Sequence, residues 1–415
     1  MPPNTTVSHR VAVRQAASPR APSYNLVRRL QNCGQFLPPF ARSKSISNHP
    51  VGEYQQTADP RSSVLDLIRY PIVQAPLSGG VSTPQLTIAA GMAGALGFVA
   101  AGYRTAKQLG EDVNVVRAAS QAPFGVNLFV PGQASTDLDV VRAYAERITR
   151  ESESLGVEPG VPRWSDDEWE AKLETIRNLR PAVVSFTFGC PDRNVIEDLK
   201  KRGIEVWVTV TEPDEAELSA ERGADALVLQ GIESGGHRAS FEDEDGRGEL
   251  GLLALIRVVR KRVTVPLIAA GGICDGYAIA AALIAGARAA QIGSAFLDTT
   301  EAGTAQAYRE RLRHSGRTAL TRAFTGKRAR GIVNGFMQRN SAGAPAAYPE
   351  VHYVTAPVRA AARAKGDSEL INLWAGQSYE MIDHGLPAVQ VIDRLASELV
   401  EAFQQASLMH LKWGR

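Results

Sequence analysis

Cysteine is scarce. Cys33, Cys190 and Cys274 are odd in number, far apart, and include no Cys-x-x-Cys pair in 415 residues. That excludes a disulfide framework and a cysteine-rich zinc site, and it suits a reducing compartment. Long apolar runs are also lacking: the nearest, YAIAAALIAGARAAQIGSAF (277–296), carries Arg288 and Gln291 and is broken by glycines, so no spanning helix is expected. Neither sign of charge is in excess. A net charge of +2 gives no reason to expect nucleic acid or an acidic membrane as partner. No early Gly-x-Gly-x-x-Gly marks a dinucleotide crevice. These absences leave a cytoplasmic globular enzyme as the expectation, with its oligomeric state unread.

The first 52 positions lack acidic residues altogether and carry six arginines and one lysine. An organelle presequence has this composition. A disordered extension, or a start placed too far upstream, has it equally, and Pro2, Pro3 and poor helical periodicity favour those. Residues 1–60 are therefore kept apart from the fold.

From residue 65 short apolar runs recur at 71–75, 95–99, 123–128, 181–186, 204–210, 225–230, 264–269 and 288–293. They are rich in Val, Ile, Leu and Ala with little alternation, as befits parallel strands covered on both faces. Amphipathic stretches lie between them, several ending in glycine. Eight strand–helix units predict an α/β fold, a (β/α)8 TIM barrel over 61–299. An insert at 131–180 is expected to hold one long charged helix (137–156) and a second (165–180), with solvated faces. Residues 300–370 are expected to form a helical lid over the barrel mouth. The segment 371–415, with a final helix near 386–408, is expected to close against the body.

Barrel enzymes build their sites at the C-terminal strand ends, and phosphate often sits after strands seven and eight. There the chain places Gly271 and Gly272, then Gly293 and Ser294. Glycines allow close backbone approach, and the following N–H groups favour an anion. Gln74, Asn127, Ser185, Thr187 and Gln230 end other strands. Amides offer a donor and an acceptor to a heteroaromatic edge, so the rim suits a flat phosphorylated cofactor such as FMN. His237, behind Gly235 and Gly236, is the one histidine between His49 and His314. An imidazole there can act as a general base. Glu233 alone does not complete a metal site, so no metal is expected.

PIVQAPLSGGVSTPQL, GALGFVAAGY, FGVNLFVP, VVSFTFGCP, LVLQGIESGGHR, LIAAGGI, AAQIGSAFL and INLWAGQ occur in order from about residue 65 onward. Together they resemble the nitronate monooxygenases, formerly 2-nitropropane dioxygenases. The resemblance implies an FMN-dependent barrel with a helical lid that uses neither NAD(P)H nor metal. It implies oxidation of alkyl nitronates by O2 to a carbonyl compound and nitrite. Propionate 3-nitronate, a small toxin, and a nitro group in biosynthesis are both open as substrates. Residues carried over by motif are the backbone of Ala75, Pro76 and Leu77 along the flavin ring, and Asn127, Gln230 and Gly235 at the ring or ribityl chain. Gly271, Gly272, Gln291, Ile292, Gly293 and Ser294 are carried over to the phosphate, Gln377 to the flavin from the C-terminal part, and His237 as base and nitronate-binding residue. Leu77 stands where methionine is commoner, and Ala239 where glycine is frequent. FMN-dependent enoyl-acyl-carrier-protein reductases and NAD(P)H:quinone reductases share the glycine–histidine loop and form the alternative.

Overall fold

A computed structural model of the chain describes residues 63–413. The expectations for residues 1–60 lie outside the described residues. Eight parallel strands form the barrel: β1 (Ile72–Gln74), β2 (Gly97–Ala100), β3 (Phe124–Phe129), β4 (Val183–Thr187), β5 (Glu205–Val210) and β6 (Ala226–Gln230), then, beyond the short β7 (Gly236–His237), β8 (Leu267–Ala270) and β9 (Ala289–Ile292). The sheet order runs from β1 through β9, β8, β6, β5, β4 and β3 to β2. A parallel bridge from Val73 to Leu96 closes the ring. All eight expected strands are present, each within a few residues of its apolar run.

The runs lack alternation because both faces are covered. Inward-facing Val73, Phe98, Val183, Trp207, Val228 and Ile268 fill the barrel, joined at one end by Val64 and Leu65. Phe98 and Trp207 lie 5.7 Å apart between ring centroids. Their neighbours Val99, Val206, Val208 and Val184 face the helices. Emptying such a site, Phe98→Ala for instance, removes about 3–5 kcal/mol of packing.

Two regions depart from the sequence reading. The single long helix expected over 137–156 is two, Leu138–Arg147 and Thr149–Leu155, broken at Ile148. The break lets both halves dock inward: Tyr144 Oη donates to the Ala323 carbonyl at 2.6 Å, and Glu151 accepts from Arg339 Nε at 2.9 Å and Asn340 Nδ2 at 3.0 Å. The Glu151 carboxyl stays below its ordinary range because these two donors outweigh its desolvation. The insert therefore has solvated faces on one side alone.

The 300–370 region is not wholly helical. Besides helices Gln306–Leu312, Gly335–Asn340 and Glu350–Lys365, it contains a hairpin of β10 (Thr318–Thr321) and β11 (Ala329–Ile332). β11 also pairs antiparallel with β7, making a small three-stranded sheet. Arg and Ala in these strands favour helix locally. Tertiary partners override that preference: Arg328 and Arg322 both pair with Asp243 in the loop after β7, at 3.0 and 3.1 Å. The last helix, Ala388–Trp413, is held by Arg394 Nη2 on the Cys274 carbonyl (3.1 Å) and by Glu398 Oε2 on Gly276 N–H (2.9 Å). Among the described residues no helix is long and apolar enough to cross a membrane, and no group of three metal-ligating side chains assembles.

Candidate active site

A cavity opens at the C-terminal ends of the barrel strands. Ala75, Pro76, Leu77, Asn127, Gln230, Gly235, His237, Gly271, Gly272, Gln291, Gly293 and Ser294 all line it. Two residues expected in the site do not. Ile292 is buried within β9, at 1% exposure, and the Gln377 side chain is exposed. The Gln377 backbone N–H instead donates to the Glu233 carbonyl at 3.0 Å. Its neighbours Trp374 and Ser378 do line the cavity, and Gly376 N–H bonds Ser294 Oγ at 2.9 Å. The C-terminal strap thus reaches the site through these residues.

Strand-end amides divide by role. Gln74 is fully buried and ties β1 to β2, accepting from Phe98 N–H at 3.0 Å and donating to Ser82 Oγ at 3.1 Å. Asn127 Nδ2 is used up on Ser185 Oγ and Thr187 Oγ1, each at 2.9 Å. Gln230 clamps the histidine loop: Nε2 donates to the His237 carbonyl (3.0 Å) and Oε1 accepts from Ala239 N–H (2.9 Å). Gln291 Oε1 is buried without a partner among the described residues.

At the opposite wall the backbone is bare. Gly271 (φ +121°) and Gly272 (φ +68°) adopt conformations that side chains resist. A Cβ on Gly235 would stand 2.5 Å from Ala375 C and Gly376 N, so the loop after β6 and the C-terminal strap meet there with no room for a side chain. Ser294 opens the turn Ser294–Phe296 beside them. A cradle of bare glycine backbone with one hydroxyl is a chemically sensible phosphate seat.

His237 proves to be a strand residue. It pairs with Ala329 of β11, and Arg238, fully buried, staples the same segment by donating to the carbonyls of Gly231 (2.7 Å), Gln230 (2.8 Å) and Gly248 (2.8 Å). Ala239 is buried, with its N–H bound as above, so the alanine sits within an anchored loop. The imidazole Nε2 lies 2.9 Å from Thr325 Oγ1, and Phe188, Tyr348 and Trp374 surround the ring at 5.6–5.7 Å. Burial pushes its pKa down to about 3, and the positive charges of Lys327 and Arg359 push the same way. The ring is therefore neutral at physiological pH. Lys327 itself is lowered to about 8 by burial.

A further wall went unread in the sequence. His352, Arg359 and Arg363 lie on one face of helix Glu350–Lys365 and line the cavity with Tyr103 and Asn372. Tyr103 stacks on His352 at 4.1 Å between centroids and receives the Tyr348 hydroxyl's hydrogen bond at 3.0 Å. Tyr103 and Phe188 both hold positive φ, 66° and 75°, an uncommon strain for aromatic residues that cavity walls tend to carry. The spacing of His352, Arg359 and Arg363, seven and then four residues, is a helical-face signal. Nothing in the sequence alone says which way that face turns.

The profile of the nitronate monooxygenase family matches residues 61–398. The chain is 40% identical over 343 residues to a nitronate monooxygenase of Pseudomonas aeruginosa, covering 80% of this chain and 97% of that one. It is 37% identical over 346 residues to a nitronate monooxygenase of Paraburkholderia phytofirmans, covering 81% and 93%. Among solved structures, nitroalkane oxidase from Streptomyces ansochromogenes superposes with a TM-score of 0.81 at 44% identity, covering 83% of this chain and all of that one. FabK from Thermotoga maritima is more distant, with a TM-score of 0.64 at 26% identity over 83% and 96%. Matched over about four-fifths of its length at these identities, the chain belongs to the nitronate monooxygenase family.

Proposed function

We propose that the protein binds FMN in this cavity and oxidises alkyl nitronates with O2 to a carbonyl compound and nitrite, with His237 as the base and nitronate-binding residue. The observation that carries the proposal is His237 itself, a neutral imidazole fixed between aromatic rings in the cavity wall. FMN would supply the electron acceptor that O2 re-oxidises. The bare backbone at Gly271, Gly272 and Gly293, with the Ser294 hydroxyl, fits its phosphate. The unpartnered Gln291 Oε1 fits a ring N–H or ribityl hydroxyl, with Ala75, Pro76, Leu77, Asn127 and Gly235 close by. Gln230 serves the site through the histidine loop. Residues 61–299, including the insert 131–180, are the cofactor-binding barrel in this reading, and 300–370 roof the substrate space.

The proton chemistry rests on Thr325. In this reading its hydroxyl donates to the Lys327 carbonyl, 3.3 Å away, and its oxygen accepts from His237 Nε2–H. Nδ1, which has no hydrogen-bond partner among the described residues, then keeps its lone pair for the α-proton of a neutral nitroalkane. Thr325→Val is expected to lower kcat/KM on neutral nitroalkanes about tenfold, the worth of one hydrogen bond, with little change on pre-formed nitronates. Thr325→Ser should restore it. Equal losses on both substrates, or none, would remove Thr325 from this role.

The reductase alternative draws on the likeness to FabK, and the two readings differ in electron donor. Anaerobic exposure of the flavin-loaded protein to an alkyl nitronate and, separately, to NADH decides between them. Greater identity to the nitronate monooxygenases favours the first.

A further inference from the structure

Lys172, in helix Trp169–Leu179 of the insert, is only 1% exposed. Its ammonium stands 2.6 Å from Asp167 Oδ2 and donates to the Ala101 carbonyl at 2.9 Å. The other Asp167 oxygen, Oδ1, accepts from the Tyr103 N–H at 3.0 Å, and Glu168 Oε2 accepts from the Ala106 N–H at 2.8 Å. The start of one insert helix thus grips the loop after β2 at three points.

A buried ion pair is a poor way to gain stability, because desolvating both charges cancels much of their attraction and an apolar pair packs as well. What the pair imposes here is direction. Asp167 (φ +55°) and Glu168 (φ +56°) both hold the left-handed backbone region, and so does Tyr103 (φ +66°). Each such residue costs about 1–3 kcal/mol and persists only where its surroundings over-determine it. Asp167 and Tyr103 meet across one hydrogen bond, so each holds the other in its strained conformation.

The Tyr103 end of that bond carries the cavity wall. Tyr103 lines the cavity, stacks on His352 at 4.1 Å between centroids, and takes the Tyr348 hydroxyl at 3.0 Å. Tyr348 in turn lies 5.7 Å from the His237 ring. His237 and the glycine cradle are held by other segments, β7 with β11 and the ends of β8 and β9. Displacing Tyr103 therefore reshapes the wall and leaves the base and the cradle in place.

We infer that Asp167, held in place by Lys172, is a positioning residue that fixes Tyr103 in its strained conformation and so sets the shape of the pocket in which the substrate is oriented beside His237. This rests on the nitronate reading of the cavity. Neither Asp167 nor Lys172 lines the cavity, so both act through Tyr103.

The test uses flavin-loaded double variants that leave no unpaired buried charge. Asp167→Asn with Lys172→Met keeps an acceptor for the Tyr103 N–H, and Asp167→Ala with Lys172→Met removes it. The Ala101 carbonyl keeps the Arg104 N–H, at 3.1 Å, in both. On ethyl nitronate the alanine variant should show a KM about tenfold above the asparagine variant, as expected for one hydrogen bond, with kcat within about threefold and equal flavin content. Adding Tyr103→Gly to both should shrink the difference below about twofold, because glycine accepts the left-handed backbone unaided and leaves no ring to position. A merely structural role for Asp167 would survive loss of the ring. Hydrogen exchange needs no turnover: the amides of 101–106 should exchange about tenfold faster in the alanine variant, while those of 236–239 stay unchanged. That exchange result with no nitronate turnover by the wild type would uphold the hold on Tyr103 and overturn the oxidation reading. Equal KM values, a difference that persists without the ring, or equal exchange at 101–106 would overturn the positioning role.

Discussion

His237→Asn is expected to keep its flavin and to lose about 10²- to 10⁴-fold in kcat/KM on neutral nitroalkanes, the range a positioned general base supplies. Pre-formed nitronates arrive without the α-proton, so their oxidation should fall much less. The split follows from geometry. His237 sits on β7, held through main-chain pairing with Ala329 and through Gln230 on its own carbonyl, so changing the side chain leaves the loop in place. Asparagine retains a hydrogen-bonding end toward Thr325 and removes the basic nitrogen. The pH dependence should agree: with the imidazole lowered to about 3, the base is competent throughout pH 5–8, and no acid limb near 6.5 should come from it. Steady-state kinetics on both substrate forms, with the flavin-to-protein ratio measured alongside, checks the claim. Equal loss on both forms, or loss of flavin, would deny His237 the role of base.

The second large effect is expected from a single methyl group. Gly235→Ala would drive a Cβ to 2.5 Å from the backbone at Ala375 and Gly376, which is part of the strap that also binds Ser294. Backbone cannot rotate aside as a side chain can, so the loop and strap must separate, at about 1–3 kcal/mol or more. Separation opens the cradle, and bound flavin after purification should fall several-fold, with a lower Tm. Gly236→Ala is the internal comparison. That position has φ +75° and nothing within 4 Å of a new Cβ, so it should lose only about 1 kcal/mol to backbone strain and keep its flavin. Full flavin content and an unchanged Tm in Gly235→Ala would contradict the close-packed cradle.

The barrel was legible because its determinants are local. A strand buried on both faces must be apolar without alternation, and an amphipathic helix ending in glycine must follow it, so each unit announces itself in about thirty residues. The hairpin of β10 and β11 was not legible, since its stabilising partners, β7 and Asp243, lie some eighty residues away. The same distinction runs through the site. Glycines at strand ends line the cavity where the sequence places them, because a missing side chain is legible without knowing any orientation. The orientation of the amides was not legible, because an amide at a strand end serves backbone and cavity equally well. Gln74 and Gln230 both turned to the protein's own main chain. His352 and Arg359 needed the orientation of helix Glu350–Lys365, which the docking of Tyr144, Glu151 and other insert side chains against the 300–370 region helps to set. Helical spacing identifies such a face without saying what it faces.

The central claim is that electrons enter from a nitronate and not from a nicotinamide. An anaerobic titration of the flavin-loaded protein tests it most directly, following flavin absorbance with ethyl nitronate alone and with NADH alone. Loss of the oxidised flavin spectrum with the nitronate, and none with NADH, is the expected result. Bleaching by NADH, with the nitronate inert, would contradict the account and identify a reductase built on the same barrel.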